Sequence, residues 1–247
     1  MEKYHAGVYV KQDNYKSFQP SFINRVWNLT DPVITNLLAD AMFHLGRLDM
    51  HSEYVPNIEL FIEMHIAKEA TLSSKIEGTQ TNIEEAFSPE GDIAIEKRDD
   101  WEEVQNYITA LRLGMELQET LPFSTRLIKQ LHEALLTGVR GRHKNPGHYR
   151  RSQNWIGGSS PQNATFVPPV HTSINDYMSD LEKFIHNEDT RLHDLIKIGL
   201  AHYQFETIHP FLDGNGRVGR LLITLLLMEK NLLKRPILYL SDFFEQN

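Results

Sequence analysis

Residues 209–228 constrain the fold more than any other part of the chain, because a tight polar loop leads directly into an almost wholly apolar run. The two glycines and the asparagine at 214–216 allow the backbone to turn sharply. The apolar run at 221–228 is far shorter than the roughly 20 residues that cross a bilayer. It therefore predicts a helix buried on all sides, with the loop at its N-terminus.

Helical spacing of apolar residues predicts further helices along most of the chain, and so a mainly α fold. Residues 30–32, Thr-Asp-Pro, are typical of a helix start, where a capping side chain precedes a proline in the first turn. A second helix is expected between Pro56 and Gly78, since glycine often ends a helix. Thr81 and Glu84 have the spacing of a capping box for a short third helix. The other predicted helices cover residues 101–117, 124–136, 173–186 and 192–205.

Two segments lack this spacing. Residues 1–30 predict an irregular N-terminal arm, and residues 138–169 are rich in glycine, proline, arginine and asparagine. Within the second segment, short stretches at 155–158 and 164–169 flank a turn-rich centre, which predicts a small irregular β-hairpin. A helix start at Ser241, close to the last residue, is typical of a protein that continues into a further C-terminal domain.

Composition excludes several classes of protein. The absence of cysteine rules out disulfides, thiolate zinc sites and cysteine nucleophiles. A net charge of −8 over 247 residues is unlike that of a general nucleic-acid-binding protein, so no nucleic-acid partner is expected. The N-terminus has no apolar stretch of the kind found in signal peptides, and no segment is long enough to span a membrane. We therefore expect a cytoplasmic protein.

The loop after position 208 contains the groups that phosphoryl or nucleotidyl transfer requires. A histidine such as His209 can accept a proton near neutral pH, and Asp213 is an oxygen ligand that suits Mg²⁺ with substrate phosphates. The backbone N–H groups of 214–216, at a helix N-terminus, favour an anion. Arg217 and Arg220 share one helix face, where both can bind phosphate oxygens. A Walker-type phosphate loop is excluded because no G-K-[ST] follows, and the scattered histidines disfavour a zinc site.

The run from His209 to Arg220 reads H-P-F-L-D-G-N-G-R-V-G-R and matches the signature H-x-F-x-[DE]-G-N-G-R-x-x-R without departure. The chain thus resembles the Fic family, named for filamentation induced by cAMP, over most of its length. The resemblance implies a Fic-type helical bundle with a small β-hairpin flap at about 150–170. It also implies three parts: an N-terminal arm and helix at 1–55, an inhibitory helix region at 56–95, and a catalytic core at 96–247.

Most characterised members of this family move AMP from ATP to a serine, threonine or tyrosine hydroxyl of a protein. The resemblance therefore implies a protein adenylyltransferase that uses ATP and Mg²⁺ and acts on a protein target, or on itself. By position, His209 would deprotonate the target hydroxyl, and Asp213 would hold Mg²⁺ against the α- and β-phosphates. Phe211 would anchor the loop in the core.

The resemblance also assigns the contacts to the phosphates. The backbone of Gly214, Asn215 and Gly216 would form the cradle. Arg217 would help to bind the phosphates, and Arg220 would bind the γ-phosphate. Attack of the hydroxyl at the α-phosphorus would then release pyrophosphate.

Residues 73–78, Ser-Ser-Lys-Ile-Glu-Gly, resemble the inhibitory motif [ST]-x-x-x-E-[GN] of the family. Read alone, the string is a helix end with Gly78 as its C-terminal residue. Beside the signature, it implies that Glu77 pairs with Arg220 in the place of the γ-phosphate, while Ser73 tethers the helix by a hydrogen bond. The chain would then be autoinhibited by its own N-terminal helix.

The predicted hairpin corresponds to the flap of the family, which holds the side chain of the target over the α-phosphate. An exposed hairpin edge can pair with an extended peptide through main-chain hydrogen bonds. We associate Arg150, Ile156 and Gly157 with this role. The alternative is a purely structural hairpin that packs on the helices.

Three alternatives stay open at the level of sequence. The same residues would suit transfer of another nucleotide, or hydrolysis of AMP from a modified target through Glu77. A non-catalytic ATP-sensing module is a different class of function, which His209 disfavours because binding alone needs no base at that position. The sequence also leaves open whether the chain forms a homodimer.

Overall fold

A computed structural model describes residues 4–138 and 142–246. Residues 1–3 of the predicted N-terminal arm, and residues 139–141 and 247 of the predicted catalytic core, lie outside the described residues. Within the described residues there are nine α-helices and one two-stranded antiparallel sheet, which confirms the mainly α fold. The strands are β1 (Gly7–Lys11) and β2 (Lys16–Pro20). The helices are α1 (Pro32–Glu53), α2 (Ile58–Ile76), α3 (Ile83–Ala86), α4 (Arg98–Gln118), α5 (Thr125–Leu135), α6 (Ile174–His186), α7 (Asp194–Ile208), α8 (Asn215–Glu229) and α9 (Ser241–Gln246). Short 3₁₀ turns occupy Glu90–Asp92, Ile95–Lys97, Arg142–Lys144, His171–Ser173 and Glu188–Thr190.

Capping side chains explain where the predicted helices begin. In α1 the side chain of Asp31 accepts a hydrogen bond from the N–H of Val33, and the proline lies in the first turn. In α5 the side chain of Ser124 accepts from the N–H of Leu127. Each bond satisfies an N–H group that has no partner within its helix. The starts of α1 and α5 therefore agree with the sequence prediction.

The capping box of α3 is displaced by one residue from the predicted position. It is formed by Asn82 and Glu85, whose side chains and backbone N–H groups bond reciprocally, and not by Thr81 and Glu84. Asparagine is at least as good an N-cap as threonine, so both alternatives are compatible with the local sequence. A glutamate follows three residues after each of them, so the local sequence does not decide between the two positions.

Helix α8 is the centre of the fold, and twelve of its fifteen residues are buried. It packs against α7 on one side and against α4, α5 and α2 on the others. Helices α4 and α8 approach closely at Gly114. A Cβ added to this glycine would lie 2.6 Å from a methyl group of Leu225. The apolar run 221–228 is therefore a buried helix, as the sequence predicts.

Residues 7–20 form a hairpin of β1 and β2 where the sequence predicted an irregular arm. The hairpin lies against the flap: the N–H of Phe18 donates to the carbonyl of Val167 at 2.8 Å, and its ring centre lies 5.8 Å from that of Phe166. Ser17 and Phe18 are both buried, so β2 is covered on both faces and lacks the alternation that would mark a half-exposed strand. The local pattern was therefore insufficient, and the prediction of irregular structure was wrong here.

The flap of residues 150–170 is less regular than a hairpin with paired strands. Its two arms meet at a single bridge, in which Ile156 and Phe166 exchange hydrogen bonds of 2.8 and 3.1 Å. Gly157 follows with a left-handed φ of 70°. A Cβ at this position would lie 2.5 Å from the hydroxyl of Thr165, so the close approach of the arms requires glycine.

Helix α9 packs on α2, where the hydroxyl of Ser241 donates to Glu69 at 2.6 Å. Burial raises the pKa of the Glu69 carboxyl, and hydrogen bonds from Ser241 oppose this effect.

Among the helices that the structure describes, none has the length and apolar character that crossing a bilayer requires. The division into parts at residues 55 and 95 stays a prediction.

Candidate active site

The loop from 209 to 214 joins α7 to α8, and both of its ends have left-handed backbone conformations. His209 has a φ of 49°, and Gly214 has a φ of 74°. The N–H of His209 donates to the carbonyl of Phe205 at 3.0 Å and so closes the last turn of α7. A left-handed conformation costs a residue other than glycine about 1 to 2 kcal/mol. The packing around the loop must supply that energy.

Asn215 and Phe211 hold the loop closed from the inside. The side chain of Asn215 accepts from the N–H of Phe211 and donates to its carbonyl, each at 2.9 Å. The ring of Phe211 is fully buried and stacks on the ring of His132 with 3.7 Å between their centres. The side chain of Asn215 therefore fastens the loop, and only its backbone N–H is placed for a phosphate cradle.

His132, on α5, supports the loop from below. One ring nitrogen, Nε2, is 3.0 Å from the carbonyl of Asp213, and the other, Nδ1, accepts from the N–H of Gly147 at 2.9 Å. Burial lowers the pKa of His132 to about 4, so the ring is neutral near pH 7 with its proton on Nε2. Sequence alone gives no sign of this role, because a single histidine within an apolar helix face is typical of the core.

The imidazole of His209 is largely buried, with 20% of its side chain exposed. Burial lowers the pKa of His209 to about 4, so the ring is neutral near pH 7 and able to accept a proton. Its Nδ1 lies 3.9 Å from a carboxylate oxygen of Glu206, one turn earlier on α7. Burial also raises the pKa of Glu206 to about 7, against the opposing effect of Arg220. Glu206 is absent from the sequence predictions, and its only sequence signal is its position three residues before the histidine.

The structure brings Arg220 together with two residues of the predicted inhibitory motif. Its guanidinium donates to the hydroxyl of Ser73 at 2.7 Å, to the Ser73 carbonyl at 2.9 Å, and to a carboxylate oxygen of Glu77 at 2.7 Å. Arg220 is buried, with 8% of its side chain exposed, whereas 37% of the Glu77 side chain is exposed. Glu77 is the C-terminal cap of α2, and Gly78 follows with a φ of 102°.

Glu77 also lies against the first turn of α8. A Cβ added to Gly216 would lie 2.5 Å from a carboxylate oxygen of Glu77 and 3.0 Å from the guanidinium of Arg220. The N-terminus of a helix attracts anions, because its N–H groups have no partners within the helix and its dipole is positive there. A carboxylate thus stands beside an anion-binding position of α8.

Arg217 is buried and is held by carboxylates. Its guanidinium donates to Glu103 of α4 at 2.8 Å and lies 3.8 Å from Asp213. Only 5% of its side chain is exposed. Its predicted contact with a phosphate would therefore have to compete with Glu103, and this role stays a prediction.

Asp213 has the exposure that a metal ligand at a substrate site needs, with 45% of its side chain accessible. One carboxylate oxygen accepts from the N–H of Gly214 at 2.7 Å, and the other lies 3.8 Å from the ammonium of Lys144. Within the described residues there is no cluster of three or more His, Asp or Glu side chains placed to hold a metal. A single exposed carboxylate fits Mg²⁺, which commonly binds through one or two carboxylates together with phosphate oxygens.

Arg150 differs from the flap role that the sequence assigned to it. It is 2% exposed, and its guanidinium donates to the carbonyls of His209 at 2.9 Å, Ser152 at 3.0 Å and Pro169 at 2.6 Å. The side chain of Asn154 adds a bond of 2.9 Å to the carbonyl of Phe211. Arg150 therefore ties the base of the flap to the loop and is too deeply buried to touch a target.

Ile156 and Gly157, the other two residues assigned to the flap, are exposed on its surface. Ile156 is 40% exposed and the adjacent Trp155 is 39% exposed. Hydrogen bonds at Arg150 and Asn154 hold this apolar surface in a fixed relation to the loop that carries His209. The position suits a contact with a target, and the role stays a prediction.

Two family models match the chain. The description "Fic/DOC family N-terminal" matches residues 35–116, and "Fic/DOC family" matches residues 122–227. The two matches together cover most of the chain. The chain belongs to the Fic/DOC family. Both characteristic strings of this Fic/DOC chain fall within the matches, at 73–78 and at 209–220.

Several curated proteins and solved structures are similar to this Fic/DOC chain. The "Protein adenylyltransferase Fic" of Drosophila grimshawi is 34% identical over 132 residues, which are 50% of this chain and 25% of that protein. The protein of the same name from Drosophila melanogaster is 33% identical over 132 residues, which are 50% of this chain and 24% of that protein. The chain thus spans about a quarter of the length of these curated relatives.

The solved structures show that the fold is shared. A Fic family protein from Desulfovibrio desulfuricans G20 has a TM-score of 0.71 and 23% identity, covering 90% of this chain and 65% of its own. A Fic domain containing signaling protein from Bacteroides thetaiotaomicron has a TM-score of 0.65 and 17% identity, covering 83% of this chain and 79% of its own. The helical bundle of this Fic/DOC chain is therefore the Fic fold.

Proposed function

We propose that the chain is a protein adenylyltransferase that moves AMP from ATP to a serine, threonine or tyrosine hydroxyl of a protein. The observation that carries this proposal is the position of His209, a neutral histidine at one end of a loop whose other end is the N-terminus of a buried helix. A base and an anion-binding position thus lie on the same short loop. The curated relatives that carry the name protein adenylyltransferase support the same reaction.

In the proposed reaction, His209 takes the proton from the target hydroxyl. The oxygen then forms a bond to the α-phosphorus, while the bond from that phosphorus to the oxygen bridging to the β-phosphate breaks and pyrophosphate leaves. A carboxyl oxygen of Glu206 lies 3.9 Å from Nδ1, which has no closer hydrogen-bond partner among the residues that the structure describes. The proposal places the proton of the neutral ring on Nδ1, facing Glu206, and Nε2 is then the accepting atom. The backbone N–H groups at 214–216 would stabilise the phosphate oxygens.

Asp213 is the residue that would hold Mg²⁺, with its exposed carboxylate oxygen. When bound with ATP, Mg²⁺ would neutralise charge on the phosphate oxygens as the pyrophosphate leaves. Lys144 lies 3.8 Å from the same carboxylate and would balance its charge in the absence of a metal. Arg220, when it is released from Glu77, would bind the γ-phosphate.

The proposal includes autoinhibition within the chain. Arg220 donates to Ser73 and Glu77 at once, and the Glu77 carboxylate stands beside Gly216 where an anionic phosphate would approach. A carboxylate at that position repels a phosphate and also engages its cation. Because Glu77 is partly exposed, its ion pair with Arg220 is weak. A difference of a few kcal/mol in binding free energy would be enough to open it.

The test is AMP transfer from ATP labelled at the α-phosphate, with Mg²⁺ and a cell lysate as acceptor, together with the intact mass of the chain. The proteins compared are the wild type, Glu77→Gly and Glu77→Gly/His209→Ala, with ATP binding measured by calorimetry for each. We expect label on protein and a gain of one AMP with Glu77→Gly alone. Unchanged ATP binding with no label in any of the three would overturn the transferase and favour an ATP-sensing module. If another nucleotide is a better donor than ATP, the chain transfers that nucleotide. If the chain removes AMP from labelled protein, it hydrolyses AMP from a modified target.

A further inference from the structure

The N-terminal hairpin and the flap enclose a groove of about 640 Å³. Its floor and walls are formed on the hairpin side by Tyr9, Lys11, Tyr15 and Lys16, and on the flap side by residues between 161 and 167. Neither the signature loop nor the inhibitory motif contributes to it. The groove is thus a feature separate from the nucleotide site, at the outer side of the flap.

The hairpin and the flap are joined as one surface. The N–H of Phe18 donates to the carbonyl of Val167 in the flap, and the rings of Phe18 and Phe166 are in contact. The base of the same flap is tied to the loop of His209 through Arg150 and Asn154. A segment bound in the groove would therefore be held in a defined position relative to the base.

Charge in the groove points to the chemistry of what it binds. Lys11 and Lys16 are directly opposite each other in the hairpin, and both are exposed. Like charges at directly opposed positions destabilise a strand pair. Asp13 is the acidic side chain in the groove, so the two lysines leave a net positive patch on a chain whose net charge is −8. Neither lysine takes part in an ion pair within the part of the chain that the structure describes.

We propose that this groove, the hairpin–flap groove, docks an extended acidic segment of the target protein. The two lysines would pair with its carboxylates, and Tyr9 and Tyr15 would supply flat contact surfaces that lose little conformational entropy. The proposal rests on the proposed function, since it takes the flap as the place where the target is presented. It adds the hairpin as the part of the docking surface that selects the sequence flanking the modified residue.

The test uses binding without catalysis. A fluorescein-labelled, glutamate-rich peptide with one central serine is titrated with the whole chain, and anisotropy is measured in the absence of ATP. The variant Lys11→Glu/Lys16→Glu keeps a like-charged pair in the hairpin, so its folding is affected little while the sign of the groove is reversed. We expect it to weaken peptide binding about tenfold or more, because the reversal replaces two modest attractions to the peptide with two repulsions. Arg126→Glu/Lys183→Glu, two exposed residues of α5 and α6, makes the same change of net charge elsewhere and should leave binding unaffected.

A single change separates binding from folding. Lys16→Glu places opposite charges across the hairpin, so we expect it to keep or raise the melting temperature while it weakens binding of the peptide. The docking proposal is overturned if the acidic peptide does not bind the wild type, if a lysine-rich peptide of the same length binds equally well, or if binding falls equally in the control variant. Peptide binding that depends on the two lysines, together with no AMP transfer by the Glu77→Gly variant, would leave the docking surface standing and remove the proposed function.

Discussion

A carboxyl oxygen of Glu206, in the last turn of α7, lies 3.9 Å from Nδ1 of His209, the residue that caps this helix. Burial raises the pKa of the glutamate to about 7 and lowers that of the histidine to about 4. The histidine is thus neutral over the physiological range, while the glutamate changes its charge within it. Arg220 lowers and Glu77 raises the pKa of the same carboxyl, so Glu206 links the proposed base, His209, to the proposed inhibitory pair.

Glu206 gives the chain a pH-dependent stability with a defined sign. Its pKa in the folded protein is about 7, above the usual value of 4.5, so between these two values the folded state binds more protons than the unfolded state. The free energy of unfolding therefore falls as pH rises through this window, and Glu206→Gln removes that fall. We expect the variant to gain stability relative to the wild type between pH 5 and pH 8, as measured by urea unfolding.

The buried His209, whose pKa is lowered, makes the free energy of unfolding rise with pH below its usual pKa of 6.5. The effect of Glu206 is therefore read from the difference in the free energy of unfolding between wild type and Glu206→Gln, and not from the pH dependence of either protein alone. Glu59→Gln, at the exposed start of α2, is the matched control. If the difference in the free energy of unfolding between wild type and Glu206→Gln is the same at pH 5 and at pH 8, the carboxyl of Glu206 does not have the raised pKa.

The three bonds of Arg220 predict a graded release of inhibition. Ser73→Ala removes one side-chain acceptor, and Glu77→Gln removes the charge but keeps an acceptor, so each should raise the rate of AMP transfer by about tenfold. Glu77→Gly should raise it further, because it removes both the charge and the acceptor. The measurement is the initial rate of label transfer from ATP with a lysate acceptor.

Ser74→Ala is the matched control for this series, since Ser74 is equally buried on α2 but does not contact Arg220. Its rate should equal that of the wild type. An equal rise in Ser73→Ala and Ser74→Ala would attribute the effect to loosening of the helix and not to the bonds of Arg220.

The architecture was largely predictable because local patterns agree with the tertiary structure. The apolar run after the loop is the buried helix α8, and the Thr-Asp-Pro sequence caps α1. The loop residues could be found because the signature is contiguous in sequence. The contact between Ser73, Glu77 and Arg220 was expected only through the family resemblance, since the residues are about 140 positions apart and no local rule joins them.

The remaining features depend on contacts that sequence patterns do not encode. The N-terminal hairpin is held by partners that are distant in sequence, such as Val167, whose carbonyl accepts from the N–H of Phe18, and Tyr177, whose hydroxyl donates to Gln19. His132 and Arg150 act on the loop from other elements, and each has the sequence environment of an ordinary core or surface residue. Their roles become visible only when their buried partners are known.

Arg150 should be a large contributor to stability. Its guanidinium serves carbonyls of the loop and of both arms of the flap, and lysine cannot reproduce this planar arrangement of donors. Arg150→Lys should leave buried carbonyls unpaired and lower the free energy of unfolding by about 3 kcal/mol. Urea unfolding measures this, and limited proteolysis should show faster cleavage between residues 152 and 166. The exposed neighbour Arg151→Lys is the control and should behave as the wild type.

The exposed carboxylate of Asp213 predicts how metal and nucleotide depend on each other. In the wild type, Mg²⁺ should tighten ATP binding, because the carboxylate repels metal-free phosphates and attracts the metal. Asp213→Asn removes both effects, so it should bind metal-free ATP as well as or better than the wild type and lose about tenfold in affinity for ATP with Mg²⁺. The measurement is calorimetry with Mg²⁺ and with a chelator. Both proteins that are compared, the one that keeps Asp213 and the one that carries Asp213→Asn, also carry Glu77→Gly. Asp176→Asn changes a carboxylate at the first turn of α6 and should leave both affinities unchanged. A loss of affinity for ATP that is equal with and without Mg²⁺ would show that Asp213 acts by shaping the loop and not as a metal ligand.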